Sequence, residues 1–439
     1  MYRLFINQLK EWKKSVKRKP LIVRGARQVG KTFIIKQFGE ESFKGKVHTL
    51  DFEKHPDLHS VFDKNLDPQR IIGELEIILN ESIEPGKDLL FMDEIQALPK
   101  ALMSLRYFYE NMPDLHVIAA GSLLDFAIKD ISFPVGRVNI KSMYPMNFYE
   151  FLLAVGSDKL AEKIVSFPEK LPDSIHKALL DKLRQFLYIG GMPECVDVWI
   201  KTQSYNEVFQ VQSDLLESYR QDFSKYTPYT DKQNLRNVLS VIAKNIGHQL
   251  KYTRLSDEFS GPTNKKAFEL LQLARIIHKV KSSSPGSLPF EASASERRFK
   301  AILVDIGIMR ALNELPAGTE FKKKDILSMY NGAMAEQFVG QEFLSSGMNN
   351  LYCWIRNAKS SSAEVDYLIS KKHTIIPSEI KGGSAGKLKS LHLLLKEYPN
   401  IKQACVLSEA PFGKIPEQKM TFLPLYYAYG LANGILSIY

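Results

Sequence analysis

The stretch Gly25-Ala26-Arg27-Gln28-Val29-Gly30-Lys31-Thr32 constrains this chain more than any other. It matches G-x-x-x-x-G-K-[ST] in full. It follows a short apolar strand, Leu21 to Val23, and precedes an amphipathic helix from Phe33 to about Phe38. Strand, glycine loop and helix in that order is the setting in which this pattern cradles phosphate. Gly25 and Gly30 let backbone N–H groups turn inward, and the helix N-terminus adds partial positive charge. Lys31 is suited to reach β- and γ-phosphates, and the Thr32 hydroxyl to ligate Mg²⁺. The loop from Gly25 to Thr32, with Ala26, Arg27, Gln28 and Val29 between the glycines, is therefore expected to bind ATP and Mg²⁺.

A second element fits the first. Leu89-Leu90-Phe91-Met92 reads as a buried strand that ends in Asp93-Glu94. A parallel strand ends in acids when its carboxyl end faces a ligand. Asp93 would hold Mg²⁺ through water, and Glu94 would orient and polarise an attacking water. His116 to Ala120 is a further strand, ending at Gly121-Ser122, where Ser122 is either a γ-phosphate sensor or a plain turn serine. Val47 to Phe52 supplies another strand. Arg137 is either a contact to transition-state charge, in cis or from a neighbouring subunit, or a surface arginine. Helices around Arg70 to Leu79 and Lys100 to Asn111 fill the gaps. The fold class is α/β: a parallel-sheet nucleotide-binding domain over 1–145.

The chain has 439 residues, so about three domains are expected, and 44% hydrophobic with 25% charged residues excludes wholesale disorder. No apolar run is long enough to span a bilayer, and the opening segment (Leu4, Leu9 and Trp12 apolar, lysines opposite) lacks a secretory apolar core. A cytoplasmic protein with no membrane partner is expected. Cys195, Cys353 and Cys405 make neither a metal spacing nor a disulfide framework and read as small buried hydrophobes. The net charge of +10 suits a polyanionic partner, which nucleotide and nucleic acid satisfy alike.

Apolar residues recur at helical spacing from Asn147 to about Tyr226, broken by Gly190-Gly191-Met192-Pro193. This is a helical lid over 146–230. Helices are then expected at about Asn234 to Asn245, Thr253 to Phe259 and Asn264 to Ile277. A Ser/Pro/Gly stretch, Lys281 to Pro289, and a strand, Phe299 to Val304, follow. Three short helices and a ribbon give the winged-helix pattern over 231–322. Lys265, Lys266 and Arg275 lie on the third helix, without the Arg/Asn/Gln cluster of a base reader.

Past Lys322-Lys323-Lys324 the order is helix (Ala333 to Leu344), strands (Leu351 to Ile355, Val365 to Ile369, His373 to Ile380), helix (Leu388 to Leu395) and strand (Ala404 to Leu407). Glu336 lies on the first helix. Asp366 lies near the start of one strand, and Pro377-Ser378-Glu379-Ile380-Lys381 ends the next. Glu336, Asp366 and Glu379 could hold Mg²⁺ or Mn²⁺, with Lys381 orienting water. A strand-exit salt bridge is the plainer alternative.

Together RGARQVGKT (Arg24 to Thr32), LLFMDEIQ (Leu89 to Gln96), AAGS (Ala119 to Ser122), GGMPE (Gly190 to Glu194), VDIGIMRAL (Val304 to Leu312) and AEVDYLI…PSEIKGG (Ala363 to Gly383) resemble a prokaryotic family of AAA-type P-loop ATP-binding proteins. Its C-terminal domain, here 323–439, is PD-(D/E)xK nuclease-like. The resemblance implies ATP hydrolysis and a likeness to STAND-type switch ATPases. It also lends a metal role to Glu336, Asp366 and Glu379 and a catalytic one to Lys381. Two functions follow as expectations. One is an ATPase coupled to metal-dependent nucleic-acid cleavage. The other is a regulatory or scaffold ATPase whose C-terminal domain binds DNA or protein without cutting. A homo-oligomer or a protein partner fits either.

Overall fold

The computed structural model describes residues 1–127, 133–134, 136–166, 168–226, 230–314, 331–356, 363–383 and 387–434. The Lys322 to Lys324 run, the 322/323 boundary and the loop Lys359 to Ser362 lie outside them. The chain divides into two compact units, Met1–Tyr144 and Pro145–Tyr439. No helix among the described residues is long and apolar enough to cross a membrane.

The first unit is built on five strands: β1 (Leu21–Arg24), β2 (Val47–Asp51), β3 (Leu89–Asp93), β4 (His116–Gly121) and β5 (Asn139–Ser142). They pair in the order β2-β3-β4-β1-β5, all parallel. β3 and β4 are buried along their whole length, which is why they read as unbroken apolar runs. The helices Pro68–Leu79 and Pro99–Asn111 bury Ile71, Leu75, Leu102, Leu105 and Phe108 against Leu90, Met92 and Val117. Proline at the first turn of each starts the helix without wasting an N–H. Because β4 lies between β1 and β3, its end at Gly121-Ser122 falls between the glycine loop and Asp93-Glu94.

The second unit opens with five helices between Phe148 and Asp222. Asn147 and Glu150 close a reciprocal cap on the first of them. The helices Lys232–Lys244 and Gly261–Leu273 follow, then β6 (Ile277–Ser282) and β7 (Ser295–Leu303), an antiparallel ribbon. The helix expected over Thr253 to Phe259 is absent; only a single 3₁₀ turn, Tyr252–Arg254, forms. There the carbonyls of Tyr252, Ser256 and Phe259 accept the Asn264 amide, which ties the segment to the helix Gly261–Leu273.

The last part is richer in strands than its sequence pattern suggests. It holds β8 (Leu351–Ile355), β9 (Glu364–Val365), β10 (Tyr367–Lys371), β11 (Thr374–Ile380), β12 (Ala404–Ser408), β13 (Gly413–Ile415) and β14 (Met420–Pro424). The single strand expected over Val365 to Ile369 is broken at Asp366: β9 pairs with β8, and β10 with β11. The ribbon does not stand alone either. β6 runs parallel to β8, giving a sheet in the order β7-β6-β8-β9, beside a second in the order β10-β11-β12-β14-β13. The helix Asn331–Ser345 is knitted to the end of β7. Gln337 both accepts from Leu303 N–H and donates to Leu303 C=O, at 2.8 Å each, and Gln341 accepts from Ile306 N–H at 3.0 Å. Cys195, Cys353 and Cys405 are free and buried, as their scatter suggested.

Candidate functional site

In the first unit β1 ends at Arg24 and the helix Lys31–Ser42 begins at Gly30, in the left-handed conformation (φ 91°). A side chain at Gly25 would strike the Met143 carbonyl, so the loop can lie this close to the β5 exit only as glycine. Lys31 is buried, and its Nζ donates to the carbonyls of Gly25 (3.1 Å) and Ala26 (2.8 Å). The lysine is thus folded back over its own loop. Thr32 Oγ1 donates to Asp93 Oδ2 at 2.8 Å, which joins the helix start to the end of β3.

Burial pushes the Asp93 carboxyl above its ordinary range; the Thr32 hydroxyl opposes this, and the charges of Glu94 and Asp51 add to it. A hydroxyl and a carboxylate at this distance form a hard oxygen pair of the kind Mg²⁺ takes, and a cation would relieve the cost of a buried Asp93. The residues therefore fit a magnesium–nucleotide. Glu94 sits at φ 47°, an uncommon conformation for a residue with a side chain, directly after the strand. Ser122 is buried at the end of β4.

Arg137 is not brought to this place. It precedes β5, at the end of the sheet opposite the glycine loop, where Asn139 lies beside Leu21. Its Nε donates to Glu110 at 2.8 Å, and the side chain is half exposed. The fold thus places Arg137 away from its own chain's glycine loop, as a half-exposed arginine paired with Glu110.

In the second unit two of the expected carboxylates, Glu336 and Asp366, meet on a lysine that sequence reasoning missed, together with Glu364. Lys300, on β7, is fully buried, and its Nζ lies 3.1 Å from Glu336, 3.0 Å from Glu364 and 3.0 Å from Asp366. An ammonium has three N–H donors, so all are spent. Burial alone would lower its pKa, yet Glu336, Asp366 and Glu364 outweigh that and hold it well above the usual lysine value. The other Asp366 oxygen accepts from Ile380 N–H at 2.8 Å. Lys381 pairs with Glu379 at 2.6 Å, while Glu379 Oε2 is buried with no hydrogen-bond partner. Burial pushes Glu336 up to about 8 and Glu379 up to about 7.

A divalent ion held by Glu336, Asp366 and Glu379 does not fit this arrangement. No group of three or more His, Cys, Asp or Glu among the described residues is set to hold a metal, because a lysine stands between the acids. The only sequence signal for Lys300 was a charged residue inside the apolar run of β7, flanked by Phe299 and Ala301.

Residues 17–152 match the model of an AAA domain, residues 180–319 a domain of unknown function (DUF8612) and residues 331–426 another (DUF4143). With its glycine loop and parallel sheet, the first unit is a P-loop ATPase domain of AAA type. An uncharacterized protein of Methanocaldococcus jannaschii is 25% identical over 237 residues, 53% of this chain and 47% of that protein, so the chain spans about half the length of the curated relative it matches. Among solved structures, the ORC1 protein of Aeropyrum pernix in complex with DNA overlaps 71% of this chain and 91% of its own at 10% identity and a TM-score of 0.29. AMPPCP-bound DnaA from Aquifex aeolicus overlaps 62% and 87% at 14% identity and 0.28. Overlaps this loose carry neither fold detail nor function.

Proposed function

We propose that this chain hydrolyses ATP at the glycine loop, and that nucleotide state governs what its second unit binds. The observation that carries the first half is the bond from Thr32 to Asp93. It puts the hydroxyl and the carboxylate where one hard cation can be shared. Lys31, now on the Gly25 and Ala26 carbonyls, would exchange them for β- and γ-phosphate oxygens. Thr32 would ligate Mg²⁺ directly and Asp93 through water. A bound Mg²⁺ would supply charge neutralisation on the phosphates. Glu94 would orient the attacking water and draw on its proton. Ser122, between the loop and the acids, would sense the γ-phosphate. Arg137 is suited only to a neighbouring subunit's nucleotide, which a homo-oligomer would provide.

For the second unit, Lys300 favours a module that binds without cutting. A nuclease-like order of helix Glu, Asp and E-x-K supports descent from a cleaving site. An internal ammonium saturating three acids argues that the chemistry is gone. The net charge of +10 favours a polyanionic partner such as DNA, with an acidic protein face as the second choice. The helices Lys232–Lys244 and Gly261–Leu273 with the β6–β7 ribbon support a winged-helix reading in which the middle helix is reduced to the turn Tyr252–Arg254.

The test is to incubate the purified chain and Lys381→Ala with single- and double-stranded DNA and RNA, with Mg²⁺ or Mn²⁺, with and without ATP. ATP turnover without any cleavage is expected. Cleavage by the wild type that Lys381→Ala loses would restore the nuclease, and absence of ATP turnover would remove the first half.

A further inference from the structure

We propose that Gln96 is a positioning residue for Glu94, through which the Gly121-Ser122 end of β4 sets the direction of the carboxylate. The inference rests on the ATPase reading above. Gln96 lies two residues past Glu94, in the 3₁₀ turn Ile95–Ala97 that leaves β3. Its Nε2 donates to Glu94 Oε2 at 2.6 Å, a short charge-assisted bond. A carboxylate only accepts, so the amide has one possible orientation, with NH₂ toward Glu94 and Oε1 away. Oε1 is buried and without a partner. It lies against Gly121, where a Cβ would collide with it.

The amide of Gln96 is thus wedged between the catalytic carboxylate and the last residue of β4. Ser122 is the next residue, and β4 is the strand between the glycine loop and the acids. A shift of that turn on γ-phosphate contact moves Gln96, and Gln96 moves Glu94. The positive φ of Glu94 belongs to the same arrangement: without it, the chain would not double back to bring residue 96 onto residue 94.

The experiment uses the full chain and follows ATP turnover, ATP affinity and Tm. Gln96→Met keeps the length and bulk but donates nothing. The expected result is a kcat about tenfold lower, with KM for ATP and Tm unchanged, since only the orientation of the water-activating group is lost. Gly121→Ala, which displaces the amide, is expected to give the same split. Combining the two should cost no more than either alone. A kcat within twofold of wild type in Gln96→Met overturns the inference, as does a kcat that falls in step with ATP affinity or Tm. If Gly121→Ala fails to fold, Gln96→Met decides alone. Wild type and Glu94→Gln run alongside: no turnover by wild type sinks the ATPase reading itself. Turnover lost in Glu94→Gln but kept in Gln96→Met sinks only the positioning role.

Discussion

Asp305 accepts the N–H of Gly191 at 2.6 Å, across 114 residues of sequence. The same carboxylate caps the helix Ile306–Leu312 through Gly307 and Ile308 N–H and receives Gln341 Nε2 at 3.3 Å. It is fully buried, and burial raises its pKa. Around it Arg310 stacks on Tyr188 and bonds Gln212, whose amide in turn donates to the Tyr188 and Ile189 carbonyls. A buried polar hub therefore pins the Gly190-Gly191 break to the segment that opens the helix Ile306–Leu312.

Gly191→Ala should destabilise the second unit by about 3 kcal/mol, because the added methyl meets the Met146 carbonyl in a packed interior. Asp305→Ala should cost a similar amount by orphaning three backbone donors. Urea unfolding followed by far-UV circular dichroism checks both. A loss below about 0.5 kcal/mol in Asp305→Ala would mean that water or Gln341 replaces the carboxylate.

Lys31→Ala should abolish ATP binding or turnover, since it removes the ammonium that sits on the Gly25 and Ala26 carbonyls, where the phosphates would take it over. Glu94→Gln should bind ATP normally and turn it over about a hundredfold more slowly. Equilibrium binding of a fluorescent ATP analogue and phosphate release separate the two. Full turnover in Glu94→Gln would take that residue out of the mechanism.

The first unit was legible because its chemistry is local. A glycine loop, a strand ending in Asp93-Glu94 and a strand ending in Gly121-Ser122 each carry their own signature. Parallel pairing of buried strands then brings those ends together. In the second unit Glu336 and Asp366 do share a partner, but that partner is Lys300, and Glu379 pairs with Lys381 instead. Lys300 was not legible. Its meaning depends on β6 pairing with β8, a contact between segments some 70 residues apart that no periodicity encodes. Gln96 was missed because a glutamine after an acidic pair carries no signal until the turn folds it back. The missing helix at Thr253 to Phe259 shows the opposite failure. The pattern was helical, but the segment is tied instead to the buried Asn264 amide, a contact that periodicity does not encode.

Lys300→Met should destabilise the chain by roughly 3–5 kcal/mol, because the buried Glu336 and Asp366 lose the ammonium between them. Adding Glu336→Gln should recover part of that loss only at high pH, where the Glu336 carboxyl would otherwise ionise without the ammonium. Mn²⁺ should then raise the Tm of Lys300→Met, where the vacated centre can accept a cation, and leave wild type without nucleotide unchanged. The opposite pattern, a Mn²⁺-dependent rise in wild type that Asp366→Asn abolishes, would show that the lysine does not exclude the metal.

Glu342 gives a pH dependence outside both sites. It is buried on the helix Asn331–Ser345, where its Oε1 accepts Phe148 N–H at 2.9 Å. Burial pushes its pKa up to about 8; the Phe148 bond opposes this and the charge of Glu150 adds to it. The unfolded value is about 4.3. Between these limits the folded chain binds more protons than the unfolded one, so stability must fall as pH rises from about 4.3 to about 8. Glu342→Gln can still accept from Phe148 but has no proton to lose. Its stability relative to wild type should therefore improve across that window, by on the order of 2 kcal/mol or more at pH 8 against pH 5. Urea midpoints of both chains at pH 5, 6, 7 and 8 measure the difference. A gap that stays constant with pH would mean that Glu342 is already ionised in the folded state at pH 5.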